Sequence, residues 1–181
     1  MIRCKWAEGA DATMQAYHDT EWGIPEHDDT KLFEMLTLEG AQAGLSWRTV
    51  LMRRDAYRES YHGFGIERVA NMTDAQLETL LTSSGLIRNR LKVYSVRDNA
   101  RAALALGGLS DFLWAMVPGA PIVNRWTDPS QVPATTPASD AMSKTLRKNG
   151  FRFVGSTICY AFMQATGMVD DHLTTCFRCR S

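Results

Sequence analysis

The sequence predicts an all-α fold, and three observations carry the prediction. Apolar residues recur at three- and four-residue spacing along most of the chain. Residues suited to capping helices stand at the heads of those segments: Asp28 and Asp29, Ser46, Thr73, Ser110 and Ser139. No stretch alternates apolar and polar residues convincingly, and FRFV at 151–154 is the one short piece that could extend.

Taken in order, Asp28 and Asp29 cap a helix from Thr30 that carries LFEMLTLEGAQA and fades at Gly44. Ser46 caps the next helix, WRTVLMRRDAYRESY. Thr73 and Gln76 form a capping box that opens a short helix through Leu81. A tight SSG turn around Gly85 leads into IRNRLKVYSVRDNARAALAL, a long helix with apolar positions at Leu91, Val93 or Tyr94, and Val96. Ser110 caps DFLWAMV, and a polar, proline-rich loop runs from Pro118 to Pro137. Ser139 caps DAMSKTLRKNG, which the Asn149-Gly150 pair ends. The last helix is STICYAFMQATG, terminated by Gly167. There is no internal repeat and no low-complexity segment.

With 181 residues, 45% of them apolar, the chain can bury a substantial core as one domain, residues 1–181. Formal net charge is zero, so no global basic excess points to nucleic acid, but the charge is lopsided. Residues 1–50 hold four Lys/Arg against nine Asp/Glu, and the remainder holds sixteen against eleven. That distribution permits a basic working face, although two ordinary solvated surfaces would look the same. The opening MIRCKWAEG lacks the apolar core of a signal peptide, and no run is long enough to span a bilayer. Four cysteines are too sparse for a disulfide scaffold, so an intracellular protein with reduced thiols is expected, with no membrane partner.

Three features could carry chemistry. On the helix from Thr30, the apolar stripe reads Leu32, Leu36, position 39 and Ala43, which puts Glu39 on the face that should be buried. A buried carboxylate is costly unless something polar or charged sits beside it. Tyr17 and Trp22 precede it and Trp47 follows, and rings around one acid suit a flat, cationic, hydrogen-bonding ligand. Packing alone would also account for the rings. The second feature is LLTSSGLIRNR, a helix, glycine turn and helix whose N–H groups, with Arg88, Asn89 and Arg90, suit a phosphate. Helix–hairpin–helix DNA-binding motifs have this layout, but most carry a Pro-Gly-x-Gly turn that is absent here, and an ordinary helical hairpin fits as well. The third is the ligand set: Cys4 and His18 at one end, and His172, Cys176 and Cys179 in DDHLTTCFRC at the other. Two Cys and two His match a closed, structural zinc site; buried thiols and free histidines are the alternative.

These features occur together in one family. The chain closely resembles the bacterial 3-methyladenine DNA glycosylase I family in RCKW, AYHDTEWGIP, KLFEMLTLEGAQAGLSW, SGLIRNRLKV, DFLW and SDAMSKTLRKNGFRFVGSTICYAFMQATGMVDDH. The likeness spans nearly the whole chain and is weakest in the proline-rich loop. It implies a helix–hairpin–helix DNA glycosylase-like fold, with the hairpin segment at about residues 74–106, and hydrolytic excision of 3-methyladenine from double-stranded DNA. It also implies one structural Zn2+ per chain, bound by Cys4, His18, His172 and Cys176, stapling the termini into one lobe and leaving Cys179 spare. Tyr17, Trp22, Glu39 and Trp47 would form the base pocket, with Glu39 the catalytic carboxylate. Gly44 and Leu45 would enter the gap left by the extruded nucleotide, and Gly85, Arg88 and Arg90 would hold phosphates. The expected protein is a monomer working in the bacterial cytoplasm at the nucleoid. With no lysine in the pocket segments, it is expected to be a monofunctional glycosylase without lyase activity. Two departures stand out. Met14 occupies a position where the family often has tyrosine, and the wider superfamily commonly carries an Asp after the hairpin, for which Asp111 is the nearest candidate.

Overall fold

The structure, a computed structural model, describes residues 1–117 and 119–179. Pro118, where the proline-rich loop was expected to start, and the last two residues of the expected domain lie outside it. The described chain is helical as expected, and two of its helices were not anticipated. Asp11 caps α1 (Ala12–Thr20), its carboxylate accepting from the N–H groups of Thr13 and Met14 at 3.1 Å. Asp28 caps α2 (Asp29–Gln42), in which every residue from Leu32 to Ala41 is buried. A helix buried all round belongs at the centre of a fold. Four of its side chains (Leu32, Phe33, Leu36, Leu38) are at most 1% exposed, each worth about 1.5–3 kcal/mol of apolar burial.

The single helix expected after Ser46 is two. Ser46 caps α3 (Trp47–Leu51), and the chain turns at Met52 and Arg53 before α4 (Arg54–Ser60). The turn carries Arg54 onto Glu34 at 2.6 Å and Glu21 at 2.7 Å, in charge-assisted pairs that an unbroken helix would not have to make. A 3-10 turn at His62–Phe64 leads to α5 (Ile66–Ala70), the second unexpected helix. The Thr73–Gln76 capping box opens α6 (Asp74–Leu80), as the sequence indicates. The long helix α7 (Arg90–Leu106) begins three residues later than expected, at an Asn89 cap. Val93 and Val96 face the core, whereas Leu91 is 67% exposed.

Two caps differ from expectation. Ser110 does not cap α8 (Leu109–Trp114). The Asp29 carboxylate, at the head of α2, accepts from the N–H groups of Leu109 (3.1 Å) and Ser110 (2.7 Å). Ser139 is the third residue of α9 (Pro137–Lys148), whose cap is Thr136 with Pro137 at the first position. FRFV forms no strand, because Phe153 adopts φ +56°. Asn149 ends α9, and α10 (Ser156–Ala165) closes before Gly167. The only strands among the described residues are β1 (Ile122–Val123) and β2 (Val169–Asp170), a parallel pair in register Ile122↔Val169. Two residues each are too short for alternation to be legible.

One hydrophobic cluster joins α2 to α5, α7, α9 and α10 through residues such as Phe33, Leu36, Tyr61, Leu146 and Phe162. A second, small cluster is Cys4, Leu173 and Cys176, where the two ends of the chain meet. No helix among the described residues is long and apolar enough to cross a membrane.

Candidate active site and metal cluster

A cavity of about 350 Å3 opens beside the C-terminal half of α2. Glu39 and Gln42 enter it from α2, Met14 and Tyr17 from α1, Trp47 from α3, and Gln164 from α10. All four residues expected to form a base pocket line it: Tyr17, Trp22, Glu39 and Trp47. Met14 stands on the wall in the place where the family often has a ring. Asp111 does not line it; it is exposed in the first turn of α8.

Glu39 is 3% exposed, and its Oε2 has no hydrogen-bond partner. Burial alone pushes its carboxyl up to about 8. The Tyr17 hydroxyl is also raised, first by burial and then by the field of Glu39. The rings form a connected wall. Tyr17 and Trp47 have centroids 5.2 Å apart at 46°, and Trp6 meets Trp22 edge-on at 5.3 Å. The indole N–H of Trp47 is buried and unpartnered too. An aromatic chamber with an unneutralised acid favours a cationic, planar guest.

Sequence reading missed several wall residues: Trp6, Gln42, Gln164, Asp171 and Lys5. Trp6 was visible as an aromatic two residues from Cys4. Gln164 and Asp171 gave no signal, because α10 and the tail reach the cavity only through the tertiary fold. The pocket segments hold no lysine, as the sequence indicates, but Lys5, outside them, reaches the cavity wall. It is 69% exposed and lies 3.9 Å from the Asp128 carboxylate.

The expected DNA contacts divide. Gly44 and Leu45 follow the end of α2, exposed, with Leu45 40% accessible. Lys92 Nζ donates to the carbonyls of Ala41 (2.8 Å) and Ala43 (2.7 Å), holding that turn. Gly85 lies in the loop between α6 and α7, and a Cβ there would stand 2.7 Å from that of Ala56, so close packing on α4 requires the glycine. Arg88 is exposed and makes no ion pair among the described residues. Arg90 spends its guanidinium inside the hairpin, pairing with Glu78 at 2.5 Å and bonding the Tyr94 hydroxyl at 3.3 Å.

At the meeting of the chain ends, one ligand atom each from Cys4, His18 and Cys176 lies within 4.8 Å of the others, all three residues buried. His172 is outside that triplet but adjoins it, its ring 5.2 Å from that of His18. Both histidines are tethered at Nδ1, His18 to Asp19 and His172 to Asp170, each at 2.8 Å. The His172 Nε2 is left buried without a partner. Two carboxylate-tethered imidazoles beside two thiols form a donor set that fits zinc: the His172 Nε2 is free, and the His18 Nε2 meets the Cys4 N–H at 3.3 Å and the Cys176 sulfur at 3.5 Å. Burial is the main cause that pushes the Cys4 thiol up to about 12, with the Cys176 thiol adding to it, so this pair of sulfurs calls for a positive charge. Cys179 is outside the cluster, near the Arg125 guanidinium at 3.4 Å.

The sequence profile of the family described as Methyladenine glycosylase matches residues 6–179. The chain belongs to the methyladenine glycosylase family. As a member it is an enzyme, a glycosidase hydrolase. It is 49% identical over 178 residues to the DNA-3-methyladenine glycosylase of Haemophilus influenzae, covering 96% of each chain. Among solved structures, a crystal structure of 3-methyladenine DNA glycosylase I matches with a TM-score of 0.96 at 49% identity, over 99% of this chain and 100% of that one. The Staphylococcus aureus 3-methyladenine DNA glycosylase I, solved for its recognition of 3-methyladenine, matches with a TM-score of 0.92 at 33% identity, over 97% of this chain and 96% of that one. The expected family and the mainly helical, glycosylase-like fold are therefore established for this methyladenine glycosylase family member.

Proposed function

We propose that the protein hydrolyses the N-glycosidic bond of 3-methyladenine in alkylated double-stranded DNA, with the damaged nucleotide turned out of the helix into the aromatic cavity. Glu39 carries the proposal: a carboxyl buried without a partner at the centre of a ring-lined chamber. Methylation at N3 gives the base a positive charge and makes it a good leaving group before any enzyme acts. The cavity's task is to select that charge and to admit water to C1′ as oxocarbenium character develops. Tyr17 and Trp47 attract the cationic ring by roughly 0.5–2 kcal/mol each. Glu39 holds its proton in the empty chamber and gives it up when the cation enters, since an adjacent opposite charge favours the carboxylate. The C1′–N9 electron pair then leaves with the base, which departs neutral. Water supplies the oxygen at C1′ and loses its proton.

Cys4, His18, His172 and Cys176 would hold one zinc ion. With four protein ligands, it would serve structure by fastening the two chain ends. Leu45, on the turn gripped by Lys92, is suited to fill the gap left in the duplex, and Gly85 and Arg88 belong to the hairpin that would meet phosphates. The enzyme acts as a single-domain monomer of the bacterial cytoplasm. It is monofunctional: Lys5, exposed and facing Asp128, lacks the burial that activates an amine nucleophile.

Methylated duplex DNA incubated with the protein should release free 3-methyladenine and leave intact abasic strands. Glu39→Gln should keep the fold and lose most of that release. Turnover unchanged in the variant would remove Glu39 from the site, and strand cleavage abolished by Lys5→Ala would replace the hydrolase reading with a lyase.

A further inference from the structure

One wall group of the cavity, Gln164, is oriented by another, Asp171. Asp171 is 2% exposed, and every group bonded to its carboxylate is a donor. Oδ1 accepts from the Asn124 amide and the Trp126 indole, both at 2.7 Å. Oδ2 accepts from the Tyr160 hydroxyl at 2.6 Å and from Gln164 Nε2 at 2.7 Å. A carboxylate only accepts, so the Gln164 amide has one orientation available, with its NH2 toward Asp171 and its Oε1 away. Gln164 lines the cavity that Glu39 lines, and its Oε1 receives no hydrogen bond among the described residues.

A glutamine by itself discriminates little, because its amide can turn over to meet either a donor or an acceptor. Locked by Asp171, Gln164 presents an acceptor only. In 3-methyladenine joined to deoxyribose, N9 is bonded to the sugar, N3 carries the methyl group, and N1 and N7 accept. The exocyclic amino group is the sole N–H donor, so a fixed acceptor that bonds this base must bond there. In 3-methylguanine the same corner carries a carbonyl oxygen, and two acceptors would face each other without a proton between them.

We propose that Gln164 is a specificity-determining residue, held acceptor-outward by the positioning residue Asp171, that takes a hydrogen bond from the exocyclic amino group of 3-methyladenine and disfavours 3-methylguanine. Asn124 and Trp126, next to β1, and Tyr160 on α10 keep Asp171 in place. This assignment rests on the reading that the extruded base occupies this cavity.

The test uses DNA treated with a methylating agent that produces both lesions on one substrate, and reads the ratio of released 3-methyladenine to released 3-methylguanine. A ratio within one reaction does not depend on the fraction of protein that is folded. Gln164→Met should lower the ratio at least about fivefold, the worth of one hydrogen bond lost by 3-methyladenine and one repulsion removed from 3-methylguanine. Asp171→Asn should move it the same way, because an amide behind Gln164 lets its NH2 face the cavity. A ratio unchanged in Gln164→Met, or both products lost in parallel, overturns the assignment. If Glu39→Gln leaves release intact, the cavity reading fails and this inference with it. If Glu39→Gln stops release while the ratio holds in Gln164→Met, the Gln164 role alone is wrong.

Discussion

Gly23 lies so close to His172 that a Cβ placed on it would stand 2.6 Å from the imidazole Cε1 and 3.0 Å from Nδ1. Its φ of +77° is a second reason for glycine. Nδ1 is the nitrogen that Asp170 holds, so a methyl group at position 23 presses on the tether that aims the free Nε2. Gly23→Ala should purify with less than half the zinc of the parent protein and unfold about 1–3 kcal/mol earlier, with added zinc restoring part of the loss. Metal analysis with thermal unfolding measures both. Cys179→Ser is the control that should keep its zinc. Full zinc in Gly23→Ala would take His172 out of the ligand set.

Glu39 makes stability depend on pH in a direction opposite to that of a paired carboxylate. Its folded-state value of about 8 lies above the 4.5 of an unfolded chain. Between those values the folded protein keeps a proton that the unfolded chain has lost, so stability falls as pH rises through the window. The cost is absent below about pH 4.5 and complete above about pH 8, on the order of a few kcal/mol. Glu39→Gln should therefore be markedly more stable than the parent at pH 9 and nearly equal to it at pH 5. Denaturant unfolding at the two pH values decides this, and an offset that does not change with pH would mean that Glu39 is ionised in the folded chain throughout.

Asp29 caps α8 across the fold, a role the sequence suggested for Ser110. Asp29→Ala should cost about 0.5–2 kcal/mol of stability, whereas Ser110→Ala should be nearly silent. Equilibrium unfolding of the two variants side by side is sufficient, and the reverse order would restore the local cap.

Arg88 and Arg90, two residues apart, should separate in function. Arg88→Ala should weaken binding to undamaged duplex and reduce the slope of log affinity against log salt by about 0.9. Arg90→Ala should leave the slope unchanged and instead loosen the hairpin, because its partners are Glu78 and Tyr94. Fluorescence titrations at several salt concentrations read both. A salt-slope change in Arg90→Ala would show that the Glu78 pair opens to meet phosphate.

Local signals in this chain were read well where the partner is near in sequence. The Thr73–Gln76 box, the Asp28 and Ser46 caps and the Asn149-Gly150 stop each rest on side chains within a few residues of the backbone they satisfy. The helices that went unseen, α1 and α5, are short, nine and five residues. The caps misread at Ser110 and Ser139 failed for two reasons: a carboxylate 81 residues away supplied the first, and the Thr-Pro pair just upstream supplied the second.

The sequence by itself determined the helical class, because periodicity records how an element packs, and it supplied the aromatic, Cys/His and acidic residue types. The burial of Glu39 came from the central place of α2, which is buried on every face. Only the tertiary structure decided which of those groups meet. It put Trp6, Gln164 and Asp171 on the cavity of Glu39, turned Arg90 back onto Glu78, and brought Cys4 and His18 to Cys176. Those neighbours are chosen by how helices pack, and packing joins residues whose separation along the chain carries no information about their distance in space.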